Sequence, residues 1–575
     1  MFTARSLTWP SRSAVAALVA GTFLVGCTVS AGRTDRQAEG GRAGASVDLL
    51  AGHDWRHFAG AQVTSGSVHI TPLDRRIVRQ DGSGGQPNPP VNLRGPRLLV
   101  TDDFEVSAEL AGTGDAPAYL QLYGEVPVVY DEWRQERPSV RLGVVGGALE
   151  VALWDGTTAK PAVTRHFGAE VPADATVTVR RTGTALRFQV GDRTVGSLPD
   201  PGVFRSGQVW FGADAGKGGP GWDLEGLRAR AFGGGTVRVA DAPALAQRHD
   251  DPGALRSLAA GRDRPLPMGA AVAGGPLFTD DGYRALVAGQ FSMLTPENDM
   301  KPQFVHPQPD VYDFTEADSL IDFAAANDMQ VHAHTLVFGE ALPRWMRQVP
   351  PAGLEKVMTD HITRVVGHFR GRVAEWDVVN EPLSPDDSDF VDGKPGLRRH
   401  IWEKAMGERY IDTAFRAARA ADPRAKLFLN EFGLEEDGDR WEALLSLVKR
   451  LKQRGVPIDG VGFQSHIHET GDHVDAAVFA AHVKALADLG LSSRVSEIDV
   501  HGDDTDAQAQ QYSLVLRACA DAPSCSSYGT WGVTDRYGST AEEDSYPLEP
   551  GDELLWDVRL RPKPAVEALR DALAG

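Results

Sequence analysis

The chain has 575 residues, 42% of them hydrophobic, and its 79 Asp and Glu against 59 Lys and Arg give a formal net charge of −20. A chain this long exceeds what one hydrophobic core supports, so the length predicts two domains. The negative charge repels phosphate backbones and argues against nucleic acid as a partner.

The first residues have the pattern of a secretion signal. Two arginines precede an apolar run over residues 14–25, which is too short to cross a bilayer. The run ends in LVGC at residues 24–27, which resembles the lipobox of bacterial lipoproteins, where cleavage leaves the Cys as a lipid-modified N-terminus. Residues 1–27 are therefore predicted to be a lipoprotein signal peptide, with Cys27 anchoring the protein to the bacterial cell membrane outside the cytoplasm. An ordinary secretory signal, and hence a secreted protein, is the alternative.

Two segments with different patterns follow the signal. Residues 28–46 are small, polar and Gly-rich, which predicts a flexible tether. Residues 47–235 alternate apolar and polar side chains in short runs separated by Gly, Asp and Pro, which predicts an antiparallel β-sandwich. Its strand rhythm and its ending, WDLEGLRARAF, loosely resemble concanavalin-like or laminin-G-like domains. Carbohydrate binding is one interpretation of its aromatic residues, and ordinary core packing is the other: Tyr130, Trp133, Trp154, Trp210 and Trp222.

The periodicity changes after a linker predicted for residues 236–250. Over residues 251–575 short apolar strands alternate with amphipathic helices, and eight such units in a region of this length fit a β/α (TIM) barrel. The predicted fold class is thus α/β, an eight-fold barrel preceded by an antiparallel sandwich. The predicted strands are 267–272, 291–298, 331–338, 373–381, 426–432, 460–467, 494–500 and 529–535.

Polar side chains stand at the ends of these otherwise apolar strands. Asn380 and Glu381 end the run that begins at Glu375. A barrel opens its active site at the carboxyl ends of the strands, which explains polar residues there. A lone Glu at a strand end is more often a solvated loop acid, but a set on successive strands predicts an active site. The other members are Glu297, Asn298, Lys301, His334, Gln464, His466, Glu497, Asp499 and Trp531.

Six stretches carry a family resemblance, in order and spacing, from about residue 251 to the end. They are LTPENDMK (294–301), HTLV (334–337), WDVVNEP (376–382), GFQSHI (462–467), SEIDV (496–500) and WGVTD (531–535). This set resembles glycoside hydrolase family 10, the retaining endo-β-1,4-xylanases. The resemblance implies an endo-acting enzyme that cleaves β-1,4-linked xylan or a related β-glycan by double displacement, without a cofactor or metal.

The resemblance also implies roles for single residues. Glu381 would be the acid/base and Glu497 the nucleophile, since retention needs two carboxyl groups about 5 to 5.5 Å apart. His466, backed by Asp499, would orient Glu497, and Asn380 would hold the 2-hydroxyl of the sugar being cleaved. Further substrate contacts are implied for Glu297, Asn298 and Lys301 (the next sugar out), His334 and Gln464 (the cleavage subsite), Phe338 (its wall) and Trp531 (an apolar face).

One stretch departs from the family pattern. The family continues HTLV with Trp-His and a Gln a few residues on, whereas this chain has Phe338, Gly339 and Ala341 there. An indole and two hydrogen-bonding groups are thus missing, which predicts a wider and less polar wall. The preferred sugar is therefore left open between xylan, a decorated xylan and another β-linked glycan.

Two other functions fit parts of the pattern. The pairs His332 with His334 and His466 with His468, with Asp499 as a further ligand, allow a barrel metallohydrolase. A non-catalytic, glycan-binding surface lipoprotein is the second alternative, because mere binding tolerates the altered wall.

Cysteine spacing adds one structural expectation. Cys519 and Cys525 enclose a short loop and could pair in an oxidising compartment, which would leave Cys27 as the odd cysteine. Two free, buried thiols are the alternative.

Overall fold

The computed structural model describes residues 46–50, 61–63, 66–71, 91–113, 117–124, 138–155, 161–215, 219–240, 245–384, 390–391, 394–468, 474–502, 504–538 and 552–575. The predicted signal peptide with Cys27, nearly all of the predicted tether, and Tyr130 and Trp133 lie outside these residues. Among the helices described, none is both long and apolar enough to cross a membrane.

The N-terminal region is built from antiparallel strands. In spatial order they are Arg193–Pro199, Ala185–Val190, Ala175–Thr182, Val91–Ala111, Gln208–Ala215, Ala118–Tyr123, Ser139–Val145, Ala148–Trp154 and Val163–Glu170. Trp222–Ala240 also pairs with Val91–Ala111, and with Val68–Ile70 and Val47–Asp48, while Ala61–Val63 pairs with Val68–Ile70. Alternate residues of these strands point into one apolar core, as the period-two pattern predicts.

Three of the aromatic residues singled out in this region are buried. Trp222 is 2% exposed and lies in the core. Trp154 and Trp210 are 4% and 8% exposed, and the guanidinium carbons of Arg141 and Arg97 lie 4.7 and 5.0 Å from their ring centres. These three rings therefore form no open sugar-stacking face, because their apolar area is already covered. A sugar-stacking role for Tyr130 and Trp133 stays a prediction.

The C-terminal region is a closed barrel of eight parallel strands, so the predicted fold class is confirmed. The strands are Met268–Val272 (β1), Met293–Pro296 (β2), Gln330–Ala333 (β3), Glu375–Asn380 (β4), Lys426–Glu431 (β5), Gly460–Phe463 (β6), Ser492–His501 (β7) and Cys525–Thr530 (β8). Each pairs with its neighbours in chain order, β8 pairs with β1, and the pairing of β6 with β7 completes the ring. Their interiors are apolar because both faces are buried.

Helices alternate with these strands. They are Leu255–Ala260, Gly274–Thr279, Asp281–Gln290, Pro302–Val305, Thr315–Ala326, Arg344–Arg347, Pro351–His368, Ile401–Met406, Arg409–Ala421, Asp439–Gln453, Ala476–Asp488, Thr505–Asp521 and Pro564–Ala574, with a 3₁₀ turn at Asp535–Tyr537 and a small strand pair, Phe390–Val391 with Lys394–Pro395. Local sequence sets several starts: Asp475 and Asp504 cap their helices through side-chain oxygens, and Pro351 occupies the first turn of its helix.

Several strand predictions extend too far at the barrel mouth, most of all those of β3, β6 and β8. β3 ends at Ala333 instead of 338, and β8 ends at Thr530, so His334 and Trp531 directly follow their strands. β6 stops at Phe463 and the chain resumes pairing with β7 only at His466–His468. Gln464 and His466 therefore do not share one continuous strand face, because Ser465 between them adopts a φ of 62°. At these tips the chain leaves the ladder and turns its polar side chains into the mouth.

Cys519 and Cys525 form a disulfide with an S–S distance of 1.98 Å and a Cα–Cα distance of 5.3 Å. It joins the last turn of the helix Thr505–Asp521 to the first residue of β8. The link closes a short loop at the end of the barrel opposite to the strand tips.

Candidate active site

Glu381 stands directly after β4 in an unusual backbone conformation. Its φ is 50°, in the left-handed region that costs a non-glycine residue roughly 1 to 2 kcal/mol. Its N–H donates to the carbonyl of Asn430 at 2.9 Å, which ties the turn to the end of β5. The turn thus lifts Glu381 out of the strand while Asn380 stays buried at its tip.

Both oxygens of Glu381 have partners. Asn380 Nδ2 and Gln464 Nε2 each donate to Oε1 at 3.3 Å, and Arg398 Nη2 lies 2.9 Å from Oε2. Burial raises the pKa of Glu381 to about 7, with Arg398 opposing this and the carboxylates of Glu431, Glu497 and Glu340 adding to it. The side chain therefore holds a proton near neutral pH, as a general acid must.

Glu497 lies on β7 and is 4% exposed. Its Oε1 accepts a short hydrogen bond from Asn430 Nδ2, and its Oε2 is 3.3 Å from His466 Nε2. His334 Nδ1 approaches Oε1 at 3.8 Å. Three nitrogen-bearing side chains thus surround this carboxylate, and it faces the same mouth as Glu381.

His466 is held by a second carboxylate. Its Nδ1 lies 2.8 Å from Asp499 Oδ2. Burial lowers the pKa of His466, but Asp499 and Glu497 outweigh burial and raise it well above its usual range. Burial raises the pKa of Asp499, yet the imidazole brings it below its usual value. A charged imidazolium between two carboxylates follows, and it fixes Glu497 by charge and by a hydrogen bond.

A network of buried amides links the two glutamates. Asn430 Nδ2 also donates to Asn380 Oδ1 at 2.9 Å, and Gln464 Nε2 donates to the same oxygen at 3.3 Å. Ser496 Oγ donates to Asn430 Oδ1 at 2.7 Å and so fixes the orientation of that amide. The network holds both carboxylates in one geometry before a substrate enters.

The remaining predicted substrate residues lie together beside this pair. Lys301 Nζ donates to Asn298 Oδ1 at 2.7 Å, and Asn298 Nδ2 donates to Glu297 Oε1 at 3.2 Å. The ammonium of Lys301 is 5.8 Å from the ring centre of Trp531, which packs edge-on against His334 at 5.2 Å. Residues from β2, β3 and β8 thus form one continuous polar and aromatic surface.

The wall at Phe338, Gly339 and Ala341 differs from its prediction. Phe338 and Ala341 are buried, and a Cβ added to Gly339 would lie 2.6 Å from Cδ2 of His400. Arg398 reaches the same wall, where it contacts Glu340 as well as Glu381. The expectation of a wider, less polar wall is therefore wrong at Gly339, because His400 fills the space and Arg398 supplies charge.

Four residues important to the site were not predicted. Asn430 and Glu431 end β5 and repeat the Asn-Glu pair that ends β4, so the tip pattern could have revealed them. Glu431 is fully buried, accepts from Leu383 N at 3.0 Å and pairs with Arg440. Arg398 and His400 lie in irregular chain between β4 and the helix Ile401–Met406, where no periodic signal exists.

The histidine pairs do not assemble the predicted metal set. His332 lies 3.1 Å from Glu375 and 2.9 Å from Asp377, and His334 Nδ1 lies 3.0 Å from Asp377. In this part of the described structure the group with metal-binding spacing is His334, Asp377 and Glu497, without His466, His468 or Asp499. The metallohydrolase alternative loses its predicted ligand set, because the predicted histidines and Asp499 do not fall into one group with metal-binding spacing.

A β/α barrel that holds a protonated carboxyl group just after β4 and a hydrogen-bonded one on β7, both facing the mouth, has the arrangement of a glycoside hydrolase. Comparison with known proteins agrees. The family model "Glycosyl hydrolase family 10" matches residues 254–572. Endo-1,4-beta-xylanase B of Thermotoga neapolitana is 34% identical over 300 residues, covering 51% of this chain and 83% of that protein. The beta-1,4-xylanase of Dictyoglomus thermophilum is 36% identical over 304 residues, covering 49% of this chain and 82% of that protein.

A solved structure gives the same result. The crystal structure of xylanase 10B from Thermotoga petrophila RKU-1 in complex with xylobiose has a TM-score of 0.52 and 34% identity, covering 56% of this chain and 98% of that one. The chain belongs to glycosyl hydrolase family 10.

Proposed function

We propose that this chain is a retaining endo-1,4-β-xylanase in which Glu497 is the nucleophile and Glu381 the acid/base. The observation that carries the proposal is the unequal environment of the two carboxyl groups. Burial among other carboxylates favours the protonated form of Glu381, whereas Glu497 accepts hydrogen bonds from an amide and an imidazolium. The names of the relatives supply xylan as the substrate.

The reaction follows from these roles in two steps. First, a Glu497 oxygen attacks the anomeric carbon while Glu381 gives its proton to the glycosidic oxygen, so the C–O bond breaks and a glycosyl ester on Glu497 forms. Second, Glu381, now a carboxylate, takes a proton from a water molecule whose oxygen attacks the same carbon and releases Glu497. Two inversions give a product with retained configuration.

The other side chains bind and orient. Asn380 Nδ2 has a second N–H that we assign to the 2-hydroxyl of the sugar being cleaved, a contact that strengthens in the transition state. Glu297, Asn298 and Lys301 would bind the next sugar out, and Trp531 would cover an apolar ring face. His334, held by Asp377, and Gln464 would line the cleavage subsite.

The central experiment measures product release by the full chain from xylo-oligosaccharides, decorated xylans and β-glucan oligosaccharides, with Glu497→Gln alongside. We expect hydrolysis of linear xylan substrates that the variant loses. Absence of hydrolysis of every substrate by folded protein, together with measurable glycan binding, would favour the non-catalytic alternative. If the highest rate were found on a decorated xylan, we would infer that the wall formed by Arg398 and His400 recognises the substituents of the xylan chain.

We also propose that the protein is lipid-anchored outside the cytoplasm. The LVGC stretch supports this, and so does the disulfide, because disulfides persist in oxidising compartments. Detergent-phase partitioning of the protein produced in a bacterium tests it, with Cys27→Ser as the matched variant. We expect the native chain in the detergent phase and the variant in the aqueous phase. Equal partitioning would contradict the anchor and indicate a secreted protein.

A further inference from the structure

A second group of converging side chains lies next to the active site and has no part in the reaction. It consists of His501, at the end of β7, and Asp552 and Glu553, in the segment that leads to the C-terminal helix Pro564–Ala574. Each residue offers one possible ligand atom, and these three atoms all lie within 4.8 Å of one another. These three residues, which we call the His501 cluster, connect two separate parts of the chain.

Glu553 is the member that needs an explanation. Its side chain is fully buried, and within the described structure neither carboxylate oxygen has a hydrogen-bond partner. Its position is fixed by its backbone, because its carbonyl accepts from Tyr512 Oη at 2.6 Å and from Val500 N at 3.2 Å. The ionised form of a buried carboxyl group without donors is strongly unfavourable unless a cation balances it.

The ammonium group of Lys563, which contacts the neighbouring Asp552, is engaged with other acceptors. Lys563 Nζ donates to Asp535 Oδ2 at 3.2 Å and to the backbone carbonyl of Asp552. It has no ion pair with Glu553 among the contacts of the described residues. The chain therefore places a buried carboxylate beside an imidazole and a second, more exposed carboxylate, and among the described residues no Lys or Arg side chain forms an ion pair with it.

His501 has the orientation that metal-binding histidines usually show. Its Nε2 lies 3.2 Å from Asp499 Oδ1, so one ring nitrogen is paired with a carboxylate. A carboxylate on one ring nitrogen fixes the imidazole and increases the basicity of the other nitrogen toward a metal. The other oxygen of Asp499 holds His466, so the His501 cluster is joined through Asp499 and His466 to Glu497.

We propose that His501, Asp552 and Glu553 bind one divalent ion of the zinc and manganese class. One imidazole with two carboxylates suits such ions, whereas calcium and magnesium prefer ligand sets made of oxygen alone. The ion neutralises Glu553 and links the C-terminal segment to β7. Its role is structural, since the reaction on xylan does not pass through it.

Metal binding by the full chain tests the proposal directly. After dialysis against EDTA, the protein is titrated calorimetrically with ZnCl₂, MnCl₂, CaCl₂ and MgCl₂, and its thermal unfolding is followed with each ion. We expect one zinc or manganese ion per chain with a higher Tm, and at least tenfold weaker binding of calcium and magnesium. Absence of zinc and manganese binding by the metal-free protein would overturn the proposal.

Variants locate the site. His501→Gln and Glu553→Gln should each weaken zinc binding at least tenfold and remove the rise in Tm. Asp552→Asn, at an exposed position, should also weaken binding and covers the case in which Glu553→Gln fails to fold. The matched control is His468→Gln, an exposed histidine whose ring centre is 5.1 Å from that of His501. It should bind zinc as the native chain does. Loss of binding in this control alone, or unchanged binding in all three cluster variants, would place the ion elsewhere and contradict the proposal.

Discussion

The two halves of the active site use the same residue type in opposite ways. On the β4 side, Glu381 is half-buried, and loss of solvent raises its pKa to about 7, with Glu431, Glu497 and Glu340 adding to the rise and Arg398 opposing it. On the β7 side, Glu497 receives hydrogen bonds from Asn430 and His466, and Asp499 keeps that imidazole charged. Neighbouring charges and donors, rather than the carboxyl groups themselves, therefore decide which glutamate is the acid and which the nucleophile.

The most severe change removes the nucleophile. Glu497→Gln keeps the shape of the side chain but cannot form the glycosyl ester, so we expect kcat on xylan to fall by about 10⁴-fold or more. Steady-state release of reducing sugar measures this, and circular dichroism checks the fold. If Glu497→Gln kept more than a few per cent of the native rate, the assignment of Glu497 as the nucleophile would be wrong.

Removal of the acid should lower kcat less than removal of the nucleophile, and it should affect the two steps of the reaction differently. Glu381→Gln loses the proton donor and later base, which typically contributes about 10²- to 10⁴-fold. Aryl xylobiosides with a good leaving group need no proton, so their first step should stay fast while release of the sugar slows. A burst of leaving group shows this in pre-steady-state measurements.

Glu340→Gln is the matched control for that variant. Glu340 also contacts Arg398 and adds to the rise in the pKa of Glu381, but its side chain is 53% exposed and it transfers no proton in the reaction. We expect only a small change in kcat on xylan. Equal losses in the two variants would contradict a special role for Glu381.

Removal of the Asn430 amide, which links the two halves of the site, should have an intermediate effect on kcat. Asn430→Ala removes the donor to Glu497 and to Asn380, and a hydrogen bond to a charged group contributes about 1.5 to 3 kcal/mol, or roughly 10- to 100-fold in kcat. Ser496→Ala, which removes only the group that orients Asn430, should lose less. A larger loss in Ser496→Ala than in Asn430→Ala would mean that the network acts through Ser496 instead.

We expect the smallest effect on the pH dependence of kcat/KM. Glu381 must be protonated to act as the acid, so kcat/KM should fall as the pH rises through about 7. Arg398 lowers this pKa, and Arg398→Gln should therefore move the alkaline limb to higher pH. Arg399→Gln, at the exposed neighbouring position, should leave the limb in place. If the alkaline limb of the Arg398→Gln profile moved to lower pH, Arg398 would not be lowering the pKa of Glu381.

The barrel and its strand tips follow from the sequence because a buried parallel strand must be apolar until its carboxyl end. Asn380 and Glu381 stand at such an end, Glu497 and Asp499 lie in the second half of β7, and the structure brings all four to one mouth. Arg398 and His400 could not be predicted, since they reach the site from irregular chain whose course depends on tertiary packing. The filling of the space beside Gly339 by His400 is likewise a contact between distant segments, which no local pattern encodes.

Trapping the covalent intermediate tests most directly whether Glu497 is the nucleophile. A 2-deoxy-2-fluoro xylobioside with a good leaving group slows both steps but lets the first proceed, so the glycosyl enzyme accumulates. Mass spectrometry of the digested full chain should find one xylobiosyl group on the peptide that contains Glu497. Labelling of the peptide that contains Glu381, or hydrolysis with inverted configuration and no label, would contradict the assignment of the two carboxyl groups.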